Sequence, residues 1–283
     1  VAFRGIENCI PLIHGSQGCS TYIRRYVISH FREPIDIASS NFSEESAIFG
    51  GGDNLKKALE NVTRQYVPEA IGIATTCLSE TIGDDVRLYL DEYRRAKKGG
   101  PMPALIHAPT PSYRGTHMEG FHAAIRATVD ALAEGGACDG GINIIPGFLS
   151  AEDLRHLKEV LADFGVPFTM LPDYSASLDG GSWEEYERLP AGGTPIDAIR
   201  GMGRASGSIQ LGRSLVGRDT AASLLLERFA VPLIAAGLPV GIRETDRFFA
   251  AVSDLTGIEM PEKYEKERGR LVDAFIDGHK YVF

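Results

Sequence analysis

Basic charge is in short supply. Lys and Arg number 29 against 38 Asp and Glu, leaving a net charge of -9 at pH 7. Nucleic acid and anionic membrane surfaces both need a cationic footprint, so neither is expected as a partner. Long apolar runs are missing too. None approaches the ~18 residues of a membrane span, and no signal peptide is visible. The first residue is Val1 rather than Met, which reads as a piece of a longer chain. Cysteine is sparse and scattered, at Cys9, Cys19, Cys77 and Cys138, with no CxxC pair. A zinc ribbon and a disulfide framework are therefore excluded, and free thiols suit a cytoplasmic location. No GxGxxG opens the first strand–helix turn and no phosphate loop occurs elsewhere, which argues against a plain dinucleotide binder.

What is present is a rhythm of short apolar runs and amphipathic stretches. Ile10 to Ile13 leads into the small-residue loop His14-Gly15-Ser16-Gln17-Gly18-Cys19, and a helix follows from near Thr21 to Phe31. Ile35 to Ala38 alternates like a strand. Ser39 to Gly52 reads as a polar loop, with Asp53 capping a helix to Tyr66. Ala70 to Ala74 runs into Thr75-Thr76-Cys77, and Ala104 to Ala108 runs into Thr110-Pro111-Ser112. Strand, loop and helix in repetition give an α/β fold, with parallel strands and helices on both faces. The glycine-rich segment Gly135 to Gly141 marks a boundary, so two units are expected, 1–136 and 137–283. The second repeats the rhythm through a long irregular loop, Asp173 to Gly193, that holds Trp183 and Tyr186. It ends in a charged helix from Glu262 to about Tyr281.

Ligands of parallel sheets bind beyond the carboxyl ends of the strands. Cys19, Cys77 and Ser112 each follow such an end. A thiol at the mouth of a helix sits where partial positive charge favours the thiolate, the form that binds metal. The plainer alternatives are a core cysteine at either thiol position and a turn or cap hydroxyl at Ser112. Cys9 falls inside an apolar run and is expected in the core. Cys138 lies in the glycine-rich linker. Asp84 and Asp85 are expected to charge the first turn of the next helix. His14 is expected to satisfy a backbone carbonyl, and Gly18 to avoid crowding a ligand or straining the turn. Arg24, Arg25 and Arg32 read as a solvated face or a partner contact, and Tyr22, Tyr26 and Phe31 as core or interface.

These motifs carry a resemblance. The His14–Cys19 loop, His30-Phe31-Arg32-Glu33-Pro34, Phe49-Gly50-Gly51, Thr75-Thr76-Cys77, Ile82-Gly83-Asp84-Asp85, Thr110-Pro111-Ser112, Asn143–Gly147, Gly192-Gly193-Thr194 and Glu267–Leu271 together resemble the β-type subunit of nitrogenase component 1. The resemblance implies tandem Rossmann-like domains, of which a third is expected beyond Phe283. It implies an [8Fe-7S] P-cluster shared with a homologous α-type subunit in an α2β2 heterotetramer. Electrons would come from an ATP-dependent iron protein and pass to an active-site cofactor held by the partner. Cys19, Cys77 and Ser112 match the family's ligands, Gly18 lies against the cluster, and a further ligand cysteine is expected before Val1. No residue of this chain would do acid–base catalysis. The segments Leu171–Gly180 and Gly212-Arg213-Ser214-Leu215 look more like NifN, the β-like half of the cofactor-assembly scaffold, which implies a [4Fe-4S] cluster as the alternative. A nitrogenase-like reductase such as methylthio-alkane reductase also suits the mixture.

Overall fold

The computed structural model describes residues 1–97, 99–181 and 187–282. Trp183 and Tyr186 of the long loop lie outside the described residues. A single 3₁₀ turn, Ala2–Gly5, opens the chain. The first unit then runs β1 Cys9–His14, α1 Gln17–Phe31, β2 Ala38–Ser39, α2 Glu44–Phe49, α3 Gly52–Tyr66, β3 Ala70–Thr75, α4 Cys77–Ile82, α5 Val86–Ala96, β4 Ala104–Pro109 and α6 His117–Leu132. The second runs β5 Ile142–Ile145, α7 Ala151–Asp163, β6 Phe168–Met170, α8 Ile196–Gly201, β7 Gly207–Leu211, α9 Ala221–Phe229, β8 Leu233–Ala236, α10 Ile242–Thr256 and α11 Glu262–Val282.

Two four-stranded sheets result, ordered β2-β1-β3-β4 and β6-β5-β7-β8. Every strand pair is parallel, as the α/β reading expects. The alternating side chains of the first sheet sort cleanly by face. Ile10, Leu12, Ile71, Ile73 and Leu105 bury one face under Leu55 and Leu59 of α3 and Val86 and Leu90 of α5. Cys9, Ala70, Ile106 and Ala108 meet Phe121, Ile125 and Val129 of α6, and that core runs on into the second unit. Each fully buried Ile or Leu contributes roughly 1.5–3 kcal/mol, so the sheet is a stiff platform for whatever its loops carry. Cys9 is a core residue, as expected.

Several boundaries move from the sequence reading. Helix α1 starts at Gln17, capped by the Ser16 hydroxyl accepting from Gly18 N, so Cys19 lies inside the first turn rather than ahead of it. The expected strand over 35–38 contracts to Ala38–Ser39. Ser39–Gly52 is not a plain loop, because Ser43 and Ser46 form a reciprocal capping box that starts α2. Asp53 falls in the first turn of α3 rather than at its cap. The Thr194 hydroxyl donates to Met170 O and its backbone bridges Ile6, pinning the segment after the Ala2–Gly5 turn to the second unit. Thr220 caps α9, paired with Ser223, and the neighbouring Asp219 pairs with Arg126.

Candidate functional site

The site begins with register. His14, Thr75 and Pro109 stand in one row at the carboxyl ends of β1, β3 and β4. From β1 the chain crosses to β2 on one side, and from β3 it crosses to β4 on the other. The switch point therefore falls between β1 and β3, where ligands of open parallel sheets bind. Those two strands feed Cys19 and Cys77, and the neighbouring strand feeds Ser112.

The loops are wedged together. Thr76 N donates to His14 O at 3.0 Å. Gly15 has φ +158°, and a Cβ there would stand 2.0 Å from Thr76 Oγ1. Gly15 is thus the residue that lets the Cys19 loop press against the Cys77 loop. Gly18 is different. A Cβ there would meet Ser16 Oγ at 3.5 Å, an ordinary contact, so the expectation that Gly18 relieves a strained turn is not met.

Cys77 occupies the first position of α4 and is half-buried. Its Sγ lies 2.8 Å from Ser112 Oγ and accepts from Ser112 N at 3.1 Å. The Ser112 hydroxyl and N–H together pull the Cys77 thiol below its ordinary pKa, because both hydrogen bonds favour the thiolate. Cys19 is exposed on the same edge. A groove of about 660 Å³ beside this pair is lined by Glu80, Ser112, Arg114 and His117, so a bulky group has room there. Thiolate sulfur with a neighbouring hydroxyl is a donor set for iron or another soft metal. It is also an incomplete one: among the described residues no three His, Cys, Asp or Glu side chains converge on a metal position.

Behind the loops lies a buried polar cluster that the sequence reading missed. His14 is fully buried, with Nδ1 3.0 Å from Ser40 Oγ and Nε2 3.3 Å from Asp84 Oδ2. It does not bond a backbone carbonyl as expected. Burial lowers its pKa to about 4 in spite of the adjacent Asp84 carboxylate, so the ring is neutral at pH 7. The Asp84 side chain is 1% exposed. It accepts from Gly51 N at 2.9 Å, from Tyr89 Oη at 3.3 Å and from Ser79 Oγ at 3.3 Å. Asp84 therefore ties four segments together rather than charging a helix. Asp85 does serve the next helix, as the N-cap accepting from Leu88 N. The adjacent acids Asp84-Asp85 gave no sign of this division, and nothing in the sequence singled out Ser40.

Helix α1 departs from the site almost uncovered. Ser20 is its one buried residue, while Tyr22 and Tyr26 are 61% and 68% exposed. These two tyrosines are not core in this chain. Arg24 turns back on its own chain, donating to Ile35 O at 2.8 Å. Cys138 is exposed and lies 3.4 Å from Ser206 Oγ, in the second unit and off this edge. No helix among the described residues is long and apolar enough to cross a membrane.

Comparison with known proteins places this edge in context. The model of the nitrogenase component 1 type oxidoreductase family matches residues 1–283. The nitrogenase molybdenum-iron protein beta chain of Clostridium pasteurianum is 40% identical over 279 residues, covering 98% of this chain and 60% of that one. The nitrogenase iron-molybdenum cofactor biosynthesis protein NifN of Nostoc sp. is 35% identical over 284 residues, covering 99% and 63%. A solved chain of nitrogenase Cp1 at pH 6.5 superimposes with a TM-score of 0.93 at 40% identity, covering 99% of this chain and 61% of that chain. The chain thus spans about three-fifths of the length of these relatives.

Proposed function

The chain belongs to the nitrogenase component 1 type oxidoreductase family, and on that premise we propose that it is the β-type subunit of a nitrogenase-like reductase whose electron-relay cluster it half-encloses. Cys19, Cys77 and Ser112 would hold the β side of a P-cluster-type [8Fe-7S] centre. The remaining ligands would come from a homologous α-type subunit and from a cysteine ahead of Val1. When bound, such a cluster supplies one-electron transfer between an ATP-dependent iron protein and a reducing cofactor in the partner subunit. The observation that carries this reading is the Cys77–Ser112 pair, with its 2.8 Å contact, on the same sheet edge as an exposed Cys19.

The chain's own residues do the rest. Gly15 lets the two ligand loops close on each other. Ser112 holds Cys77 toward the thiolate and would offer its own oxygen beside it to the cluster. Gly18 leaves open space on the outer side of the first turn of α1. The uncovered face of α1 offers Tyr22, Tyr26 and Arg25 to an α-type partner in an α2β2 assembly. The substrate would be set by the partner.

Anaerobic purification with the neighbouring α-type chain tests the reading. Iron per heterodimer and the EPR spectrum should show an eight-iron centre that is lost in Cys19→Ala along with electron transfer. Normal iron with retained activity in that variant overturns it. A second reading is favoured by the NifN relatives: a scaffold for cofactor assembly with a [4Fe-4S] cluster. Four irons per heterodimer, together with transfer of a bound precursor to an apo-nitrogenase, would select it. Product analysis with N2 and with methylthio-alkanes separates a nitrogen-fixing enzyme from a methylthio-alkane reductase.

A further inference from the structure

Five polar groups line up behind the Cys19 loop: Gly15 N–H, Ser40, His14, Asp84 and Gly51 N–H. A neutral imidazole donates from one nitrogen and accepts at the other. His14 Nε2 lies 3.3 Å from Asp84 Oδ2 but outside hydrogen-bond geometry, so this link is electrostatic: the Nε2–H tautomer turns its proton toward the carboxylate, and Nδ1 then accepts from the Ser40 hydroxyl. Ser40 Oγ in turn accepts from Gly15 N at 2.9 Å. The chain therefore runs from Gly15 N–H through Ser40 and His14 to Asp84. Its far end accepts from Gly51 N. A second strap joins the same segments: Ser46 of α2 donates to Asn54 Oδ1, and Asn54 Nδ2 donates to Ser40 O at 3.2 Å. Phe42 closes the arrangement, donating its N–H to Gly15 O at 2.9 Å and packing edge-on against the His14 ring.

We propose that Asp84 is a positioning residue for the Cys19 loop, acting through His14 and Ser40 on Gly15, and that it couples the Glu44–Gly51 segment to the position of Cys19. The proposal rests on the reading that Cys19 is a cluster ligand. Its physical basis is that Gly15, Ser40, His14 and the Asp84 side chain are buried against one another in series. Burial removes water as a substitute partner, so breaking one link leaves the others unsatisfied and the loop is free to settle elsewhere. Gly15 is the vulnerable point, since its backbone sits against Thr76 with no room to move inward.

Four variants of the full chain with its partner test this: Asp84→Asn, Ser40→Ala, their combination, and Asn143→Ala. Asn143 is equally buried but bonds Met202 O and Ser208 in the second unit, away from the site. Hydrogen exchange of the segment Gly15–Ser20 in the iron-free protein is read first, and the cluster's midpoint potential in the loaded protein second. Asp84→Asn and Ser40→Ala should each raise exchange at Gly15–Ser20 about tenfold and shift the potential. The combination should do no more than the larger single change, since both cut one chain. Asn143→Ala should lower the melting temperature and leave both readouts alone. The proposal is overturned if Asp84→Asn and Ser40→Ala merely lower the melting temperature as Asn143→Ala does, or if their effects on exchange add. Should Asp84→Asn fail to fold, Ser40→Ala removes one hydroxyl and carries the test by itself. Because exchange is measured without iron, a protein that binds no cluster would end the proposed function while still deciding whether Asp84 positions the loop.

Discussion

The two sheets share one strand order, β2-β1-β3-β4 and β6-β5-β7-β8, yet their switch points have nothing chemical in common. The loops after β1 and β3 carry two thiols, and the loop after β4 adds a serine bonded to one of them. The matching position between β5 and β7 carries Pro146-Gly147 and Gly212-Arg213, and Arg213 is paired with Glu244 of α10. Polar groups near the second edge are also spent on each other. Tyr174 Oη donates to Leu149 O at 2.6 Å and accepts from Leu149 N at 2.9 Å, which closes the β5 loop. Ser150 caps α7 in a reciprocal box with Asp153. The fold supplies two equivalent platforms, and the loop residues alone make one of them a candidate metal site.

The sharpest way to break the comparison is to remove a candidate ligand from one switch point and a charge from the other. Cys19→Ala should lower bound iron by more than about 100-fold, beyond the range seen for residues that merely support ligands. Arg213→Ala, at the second switch point, should leave iron content unchanged. Iron analysis of both variants in the same assembly settles it. Loss of iron in Arg213→Ala would mean that the second edge belongs to the site.

The two glycines of the Cys19 loop come next. Gly15→Ala forces a methyl into Thr76 and should cost about 1–3 kcal/mol of stability, with iron falling as the loops part. Gly18→Ala meets no obstacle in this chain. A helical Gly→Ala change should stabilise the iron-free protein by up to ~1 kcal/mol. Iron content then isolates what Gly18 does toward a ligand. Reduced iron in a stabilised protein means that the methyl crowds the cluster, whereas full iron means that Gly18 is incidental.

This pair also shows how far the sequence could be read. The alternation of apolar runs and helices was enough for the parallel sheets, because a strand buried on both faces leaves an unbroken apolar signature. It also placed Cys19, Cys77 and Ser112 at strand ends. Ser16, which starts α1 earlier than expected, and the Ser43–Ser46 box, which starts α2 where a loop was expected, lay in stretches whose glycines and serines look like loop. His14, Ser40 and Asp84 were harder still. Their roles depend on which residues from separate loops are brought within 3.3 Å, and no local pattern encodes that. Gly18 looked like the constrained glycine because it adjoins the thiol, but the constraint at Gly15 comes from Thr76, sixty-one residues along the chain.

Acid should discriminate between the two edges as well. His14 is neutral in the folded protein, its pKa lowered by burial to about 4, whereas an unfolded histidine takes a proton near 6.5. The unfolded state therefore binds more protons between those values. Stability is flat above pH 6.5 with respect to this group and is lost as pH falls toward 4, by up to about 1.4 kcal/mol per pH unit. His122, buried with neither ring nitrogen bonded, has a pKa lowered to about 4 as well and adds to the same slope. Denaturant titrations from pH 7 to 4.5 should show His14→Gln with a shallower fall than the parent. Hydrogen exchange should show the amides of Gly15, Phe42 and Thr76 loosening before those of Leu149 and Leu171. Simultaneous loosening of both edges would contradict the idea that acid acts first behind the thiols.

The smallest effects belong to the second edge. Ser150→Ala removes a helix cap and should cost about 1 kcal/mol. Tyr174→Phe removes the hydroxyl that closes the β5 loop and should cost about 1–2 kcal/mol, since it leaves Leu149 N and O to find new partners in a buried setting. Both should appear as lower melting temperatures, with iron content and cluster spectrum unchanged. That combination is informative because Tyr174 is packed at the seam of the units: its ring meets Phe31 of α1 at 6.3 Å and Phe121 of α6 at 6.5 Å. If Tyr174→Phe altered the cluster spectrum, the seam would transmit a change of one hydroxyl from the second edge to the first. The two platforms would then have to be treated as a single mechanical body. If the spectrum holds while stability falls, the second edge supports the first by burial alone.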